Sequence, residues 1–133
     1  PQPGRIYAGS PGTLLLTDEE KQLAEKQEKT DVIMSLPALE NIWEGMTGGK
    51  EVPDYMKYLQ VGDYTGLPDV YLSFGGDELF LAGAESIRKR LEEYGVHVTV
   101  EIGKGLYHSY AMLPLVKEAE EGYRNFVRYI SGK

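Results

Sequence analysis

Three short apolar stretches, residues 5–8 (RIYA), 69–74 (DVYLSF) and 97–102 (HVTVEI), are rich in β-branched and aromatic residues and bounded by glycine or proline. That pattern predicts strands. Between and after them the apolar positions change to helical spacing. Thr17-Asp18-Glu19-Glu20 has the form of a capping box, in which the threonine hydroxyl and the glutamate carboxylate each take a free backbone N–H of the first turn, so a helix is predicted from Thr17 to about Lys29. A second is predicted over Leu36 to Met46. Phe80, Ala84, Ile87, Leu91 and Tyr94 recur at helical spacing and Gly95 supplies a left-handed stop, predicting an amphipathic helix over residues 80–94. Leu115, Ala119, Tyr123, Phe126, Val127 and Ile130 stripe a final helix, with Pro114 suited to its first position. Residues 47–68 (TGGKEVPDYMKYLQVGDYTGLP) lack a period and are dominated by Gly, Pro and Asp, which predicts a long surface connection.

Strands alternating with helices imply parallel pairing through right-handed crossovers, and therefore an α/β layer structure of about three parallel strands with flanking helices. Ligands on such sheets gather beyond the carboxyl ends of the strands. Asp77 follows the second predicted strand by three residues and His108 follows the third by six. Both are therefore expected at the same edge.

Composition narrows the function classes. A chain of 133 residues, 41% of them hydrophobic, is enough for one globular domain, residues 1–133, with a core of its own. The net charge of -7 argues against a nucleic-acid or anionic-membrane surface. With no cysteine, disulfides, thiolate catalysis and cysteine-ligated zinc are excluded. No apolar run approaches the roughly 18 residues of a membrane span. The expectation is a soluble, cytoplasmic protein.

The candidate chemistry lies in three loops. Ala8-Gly9-Ser10-Pro11-Gly12 is one residue away from a G-x-S-x-G nucleophile elbow, but an elbow serine relies on the N–H of the next residue to hold the oxyanion, and Pro11 has none. Losing such a donor costs on the order of a hundred- to a thousandfold in rate. Ser10 reads as a strand-end turn residue, and no nucleophile is visible in the chain. Asp77 in SFGGDELF and His108 in GLYHSYA form a different kind of pair, acid before base on adjacent crossovers. The carboxylate would accept a hydrogen bond from one imidazole nitrogen, leaving the other to take a hydroxyl proton. His97 lies within a predicted strand and reads as structural. GGDEL also resembles the signature of diguanylate cyclases, but those hold the motif on a hairpin below an upstream aspartate strand, whereas here a helix is predicted after it and no such strand precedes it.

From Arg5 onward the order of pieces resembles the C-terminal half of an α/β-hydrolase of the hormone-sensitive-lipase-like esterase and acetyl-hydrolase family. RIYAGSPGTLL resembles that family's sixth strand and S-P turn. DYTGLPDVYLSFGGDELF resembles the lead into its seventh strand and acid loop, and AGAESIRKRLEEYGVHVTVEIGKGLYHSYAM its next helix, eighth strand and histidine loop. The resemblance implies a partial α/β-hydrolase fold, with Asp77 as the acid and His108 as the base of a Ser-Asp-His triad acting on a small carboxylic ester without metal or cofactor. Two departures stand out: Glu78 where the family usually carries proline, and Ser109 where glycine often follows the histidine. The G-x-S-x-G elbow and Gly-rich oxyanion loop of the family belong to its N-terminal half, so the chain is expected to be a C-terminal fragment, inactive alone. Residues 17–66 would then shape part of the pocket, with Trp43, Met46, Tyr55, Met56 and Tyr58 as candidates to meet an acyl chain or simply to pack. A first strand stripped of one neighbour would template association into a homo-oligomer. The rival from another class is a non-catalytic α/β module that binds a partner, with Asp77 and His108 incidental to it.

Overall fold

The computed structural model of the chain describes residues 3–12 and 16–132, apart from the side chains of Glu40 and Trp43. Three strands, β1 (Ile6–Gly9), β2 (Val70–Gly75) and β3 (Val98–Gly103), form one parallel sheet in the order β1-β2-β3. Ala8 lies opposite Leu72, and Leu72 opposite Val100. Each strand runs one residue later than the sequence pattern predicts. Gly9, Gly75 and Gly103, where the pattern predicts a break, still pair in the ladder.

Among the described residues there are four helices, α1 (Asp18–Gln27), α2 (Leu36–Thr47), α3 (Ala84–Glu93) and α4 (Glu120–Ser131), of which α3 and α4 pack on the sheet. The capping box is formed as the sequence predicts: Glu20 N–H donates to Thr17 Oγ1 at 3.2 Å and Thr17 N–H to Glu20 Oε2 at 2.8 Å. Ser35 caps α2, and Gly48, in the left-handed region at φ 60°, ends it. The predicted helix over 80–94 opens as a 3-10 turn, Leu79–Gly83, before becoming α3.

The last helix starts later than expected. Pro114 is not its first residue, because the Tyr107 hydroxyl donates to the Leu113 carbonyl and accepts from Leu115 N–H, which folds residues 113–115 into a turn. Leu115 is accordingly exposed, outside the helical stripe it was expected to join. A 3-10 turn, Lys117–Ala119, leads into α4.

β2 is covered on both faces. Val70, Leu72 and Phe74 pack with Ala84, Ile87 and Leu91 of α3 and with Val96, each large side chain contributing about 1.5–3 kcal/mol by its removal from water. On the other face the Tyr7 ring lies 4.6 Å from Phe126 and Tyr71 lies 5.0 Å from Tyr129, both partners on α4. Beneath α4, Glu101 accepts hydrogen bonds from Tyr71, from Tyr110 at 2.8 Å and from Asn125 at 3.2 Å, so this carboxylate is well satisfied.

The connection over 47–68 contains two short 3-10 turns, Asp54–Met56 and Leu59–Val61. Met46, Tyr55 and Met56, expected to line a pocket or to pack, are all more than half exposed, Tyr58 is half-buried, and the Trp43 side chain lies outside the described residues. Among the described residues no helix is long and apolar enough to cross a membrane.

Candidate active site

The carboxyl ends of all three strands deliver polar side chains to one place. β1 runs on into Ser10, whose N–H donates to Ser73 O of β2 at 2.7 Å. β2 runs on through Gly76 and Asp77, whose N–H groups donate to Gly103 O at 2.7 Å and Leu106 O at 3.1 Å. The sheet ladder thus continues past its last formal rung and straps the loop after β2 to the loop after β3. Gly75 makes that contact possible. A Cβ there would stand 2.4 Å from Leu106 O and 2.5 Å from Tyr107 O, closer than any side chain tolerates.

The ladder decides which carboxylate turns inward. Asp77 spends its N–H on Leu106, its carbonyl accepts from Thr30 Oγ1 at 3.3 Å, and the residue is exposed. Glu78 follows in extended backbone (φ -103°, ψ 150°), so its side chain points to the opposite side, where it is 0% exposed. The acid expected beside His108 was Asp77. The fold brings Glu78 there instead, with Glu78 Oε2 3.7 Å from His108 Nδ1. His97, expected to be structural within a strand, sits just before β3 on the surface, 3.8 Å from Asp69.

The pair is largely buried. The His108 side chain is 20% exposed and the Phe80 ring meets its imidazole nearly edge-on at 5.2 Å. Behind Glu78, Gln27 of α1 donates to Gly76 O at 2.9 Å, and Asp31 Oδ2 accepts the N–H of Leu79 at 2.7 Å. Within residues 17–66, the segment expected to shape part of the pocket, Gln27 and Asp31 thus brace the loop that carries Glu78.

Burial pushes the Glu78 carboxyl up to about 7, against the hydrogen bonds from Ser10 and from backbone at Gly75 and Ser109, with the nearby Asp31 charge adding to the rise. Burial likewise lowers His108, opposed by the charge of Asp31. Both groups resist carrying a lone charge, which favours one proton held between them. Glu78 Oε1 and His108 Nδ1 are buried without a hydrogen-bond partner. A contraction of about 0.8 Å would bring the two groups to ordinary hydrogen-bond distance, and such catalytic contacts commonly tighten only with substrate present.

Ser10 completes the cluster. It is 5% exposed, its hydroxyl donates to Glu78 Oε2 at 2.7 Å, and its oxygen accepts the N–H of Ser109 at 2.7 Å. Its proton points to a carboxylate and not to the imidazole. Among the described residues no group of three or more His, Asp or Glu is placed to hold a metal ion.

Nothing in the sequence singles out Glu78 over its neighbour. Two adjacent carboxylates after Gly-Gly are equivalent to a pattern reading, and only the rung between Asp77 N–H and Leu106 O orients them.

The chain matches the family model described as alpha/beta hydrolase fold over residues 2–112. No curated protein matches it. Among solved structures it is similar to the hormone-sensitive-lipase homologue EstE7 from a metagenome library, at 22% identity and a TM-score of 0.84, with 99% of this chain and 45% of that one covered. An esterase from the bacterial hormone-sensitive lipase family matches at 20% identity and TM-score 0.83, covering 98% and 43%. EstE5 matches at 19% and 0.80, covering 100% and 46%. The chain thus spans less than half the length of these structures, and at such identities the likeness speaks for the fold. Three parallel strands with helices on both faces, a carboxylate and an imidazole delivered to their carboxyl edge, and a family match across most of the sequence lead to one conclusion: this chain belongs to the alpha/beta-hydrolase family.

Proposed function

We propose that the chain supplies the acid and the base of a serine carboxylic-ester hydrolase, His108 as general base and Glu78 as the carboxylate that orients it, with the nucleophilic serine and the oxyanion donors contributed by polypeptide outside these 133 residues. The observation that carries this reading is the approach of His108 Nδ1 to Glu78 Oε2 at 3.7 Å on the carboxyl edge of the sheet. With Nδ1 turned to Glu78, Nε2 is left to accept the serine proton as the serine oxygen adds to the acyl carbon. The same proton passes to the departing alkoxide when the C–O bond breaks. Water then adds by the same route, releasing the carboxylic acid and restoring the serine. Glu78 would fix the imidazole tautomer and stabilise the imidazolium that forms in each half-reaction. The likeness to structures described as esterases supports a small ester as substrate, and no step needs a metal.

Hydrolysis of short p-nitrophenyl esters by the intact hydrolase tests the assignment, beside Asp77→Asn, Glu78→Gln and His108→Ala. The expected result is loss of turnover in the last two and near-native turnover in the first. Native turnover in Glu78→Gln together with loss in Asp77→Asn would return the role to Asp77. The 133-residue chain alone is expected to be inert.

A further inference from the structure

We infer that Ser10 is a positioning residue for the acid of this site: its hydroxyl ties the end of β1 to Glu78 Oε2 and to the backbone of the histidine loop, so that one side chain sets the distance between acid and base. The inference rests on the assignment of Glu78 and His108 proposed above.

Three observations converge on it. The hydroxyl engages both loops at once, donating to Glu78 Oε2 and accepting from Ser109 N–H, both at 2.7 Å. The residues at the two ends of that second bond, Ser10 at φ 48° and Ser109 at φ 59°, are the only non-glycine residues in the left-handed region among those described. Left-handed backbone costs about 1–2 kcal/mol at each such residue, and strain of this kind persists where surrounding contacts over-determine it. Finally, glycine would suit the backbone of residue 10 better than serine does, yet it lacks the hydroxyl. The side chain thus has a use that offsets the conformation.

The groups facing Glu78 are Ser10 from β1, backbone at Gly75 from β2, His108 and Ser109 from the loop after β3, and the charge of Asp31 from the turn after α1. Of these, Ser10 is the side chain that donates a hydrogen bond to the carboxylate. It favours the ionised form, the one that stabilises an imidazolium. Without it, Glu78 should hold its proton to higher pH and its carboxyl group should lose its fixed direction.

The test uses Ser10→Gly, which removes the hydroxyl while suiting the backbone, with Ser10→Ala beside it, both in the intact hydrolase. The expected result is a fall in kcat on the order of tenfold with KM little changed, and an acid limb of the kcat profile displaced upward by about one pH unit, the size expected for loss of one charge-assisted hydrogen bond. In the Glu78→Gln background the Ser10→Gly change should add little further loss. Additive losses would make Ser10 merely structural and overturn the inference, as would an unmoved acid limb. Carbon-13 titration of the Glu78 carboxyl separates this from the assignment beneath it. If Glu78→Gln keeps native turnover, the proposed acid is wrong; if instead the Glu78 midpoint is the same in wild type and Ser10→Gly, Ser10 does not hold it.

Discussion

Ser109 N–H and the Glu78 carboxylate meet on the same oxygen, the hydroxyl of Ser10. Ser109 follows His108 and Glu78 faces it, so base and acid are braced from behind by one shared anchor. The resemblance to esterases marks Ser109 as a departure from a frequent glycine. The structure explains the preference, since residue 109 is in the left-handed region at φ 59°. Replacing Ser109 by glycine keeps the N–H that reaches Ser10 and removes the steric cost of that conformation, about 1–2 kcal/mol. Against this, glycine brings extra freedom to the unfolded chain, worth roughly 0.4–1 kcal/mol. Ser109→Gly should therefore stabilise the fold by roughly 0.5 kcal/mol, read as a small rise in denaturation midpoint. A drop would mean that the serine side chain itself has a packing role.

Removing the charge of Glu78 without its shape should be far costlier for turnover than the same change at Asp77. Replacing the carboxylate of a triad by its amide lowers kcat on the order of ten-thousandfold, because the imidazole then adopts the wrong tautomer. Glu78→Gln in the intact hydrolase should approach that scale. Asp77→Asn, which alters an exposed side chain while leaving both backbone hydrogen bonds in place, should change kcat by no more than a few fold. Steady-state kinetics on a short-chain ester distinguishes the two.

The buried acid also gives stability a definite pH slope. Glu78 rises from its ordinary 4.5 to about 7 on folding, so the folded chain binds the proton more tightly than the unfolded chain does. Its contribution is fully present below pH 4.5 and is lost as the pH climbs to about 7, a change of at most roughly 3 kcal/mol. His108, lowered by burial, acts with opposite sign: its contribution is present above its ordinary 6.5 and declines as the pH falls below that. Urea denaturation of Glu78→Gln beside the wild type isolates the first effect. The variant should gain on the wild type as pH rises between 4.5 and 7, and parallel curves would show that the carboxyl is ionised at no cost.

How much of this was legible in the sequence follows from what each feature depends on. The strands, the capping box of α1 and the left-handed stop after α3 are local: β-branched runs, Thr17 with Glu20, and Gly95 at φ 75° carry them regardless of what lies across the sheet. The convergence of the loops after β2 and β3 was legible too, because parallel strands deliver their carboxyl ends to one edge. Which of the two adjacent carboxylates faces His108 was not, since Asp77 and Glu78 are distinguished by a hydrogen bond from Asp77 N–H to Leu106 O, twenty-nine positions along the chain. Ser10 reads in the sequence as a strand-end turn residue, and it does sit in left-handed backbone just past β1, but its partners come from two other loops that a single segment cannot show. The start of α4 was missed for a similar reason. Pro114 has the right chemistry for a first helical residue, and a tertiary contact, the Tyr107 hydroxyl, folds it into a turn instead.

Close approach of the two loops rests on Gly75. An alanine there would place its methyl carbon 2.4 Å from Leu106 O and 2.5 Å from Tyr107 O. Those atoms are backbone, so relief requires the histidine loop to retreat as a body. Gly75→Ala should destabilise the fold by about 1–3 kcal/mol, as overpacking of a well-filled interior does, and should lengthen the separation of His108 from Glu78. Thermal denaturation reads the first effect, and an upfield shift of the far-downfield imidazole N–H proton resonance reads the second. Native stability in this variant would mean that the loops are not in the contact described.

The β1 edge of the sheet has its own consequence. β1 pairs with β2 on one side, and among the described residues no strand lies on its other side. Unpaired N–H and C=O groups along such an edge template pairing with another chain. β1 is short, four residues, and short edge strands weaken that tendency without removing it. The chain on its own should therefore associate reversibly, with the weight-average mass rising with concentration in sedimentation equilibrium. Polypeptide that supplies a neighbouring strand would cover the edge and suppress the association. A monomer at every concentration would show that the edge of β1 is already blocked, and a mass unaffected by added N-terminal polypeptide would place the contact on another surface.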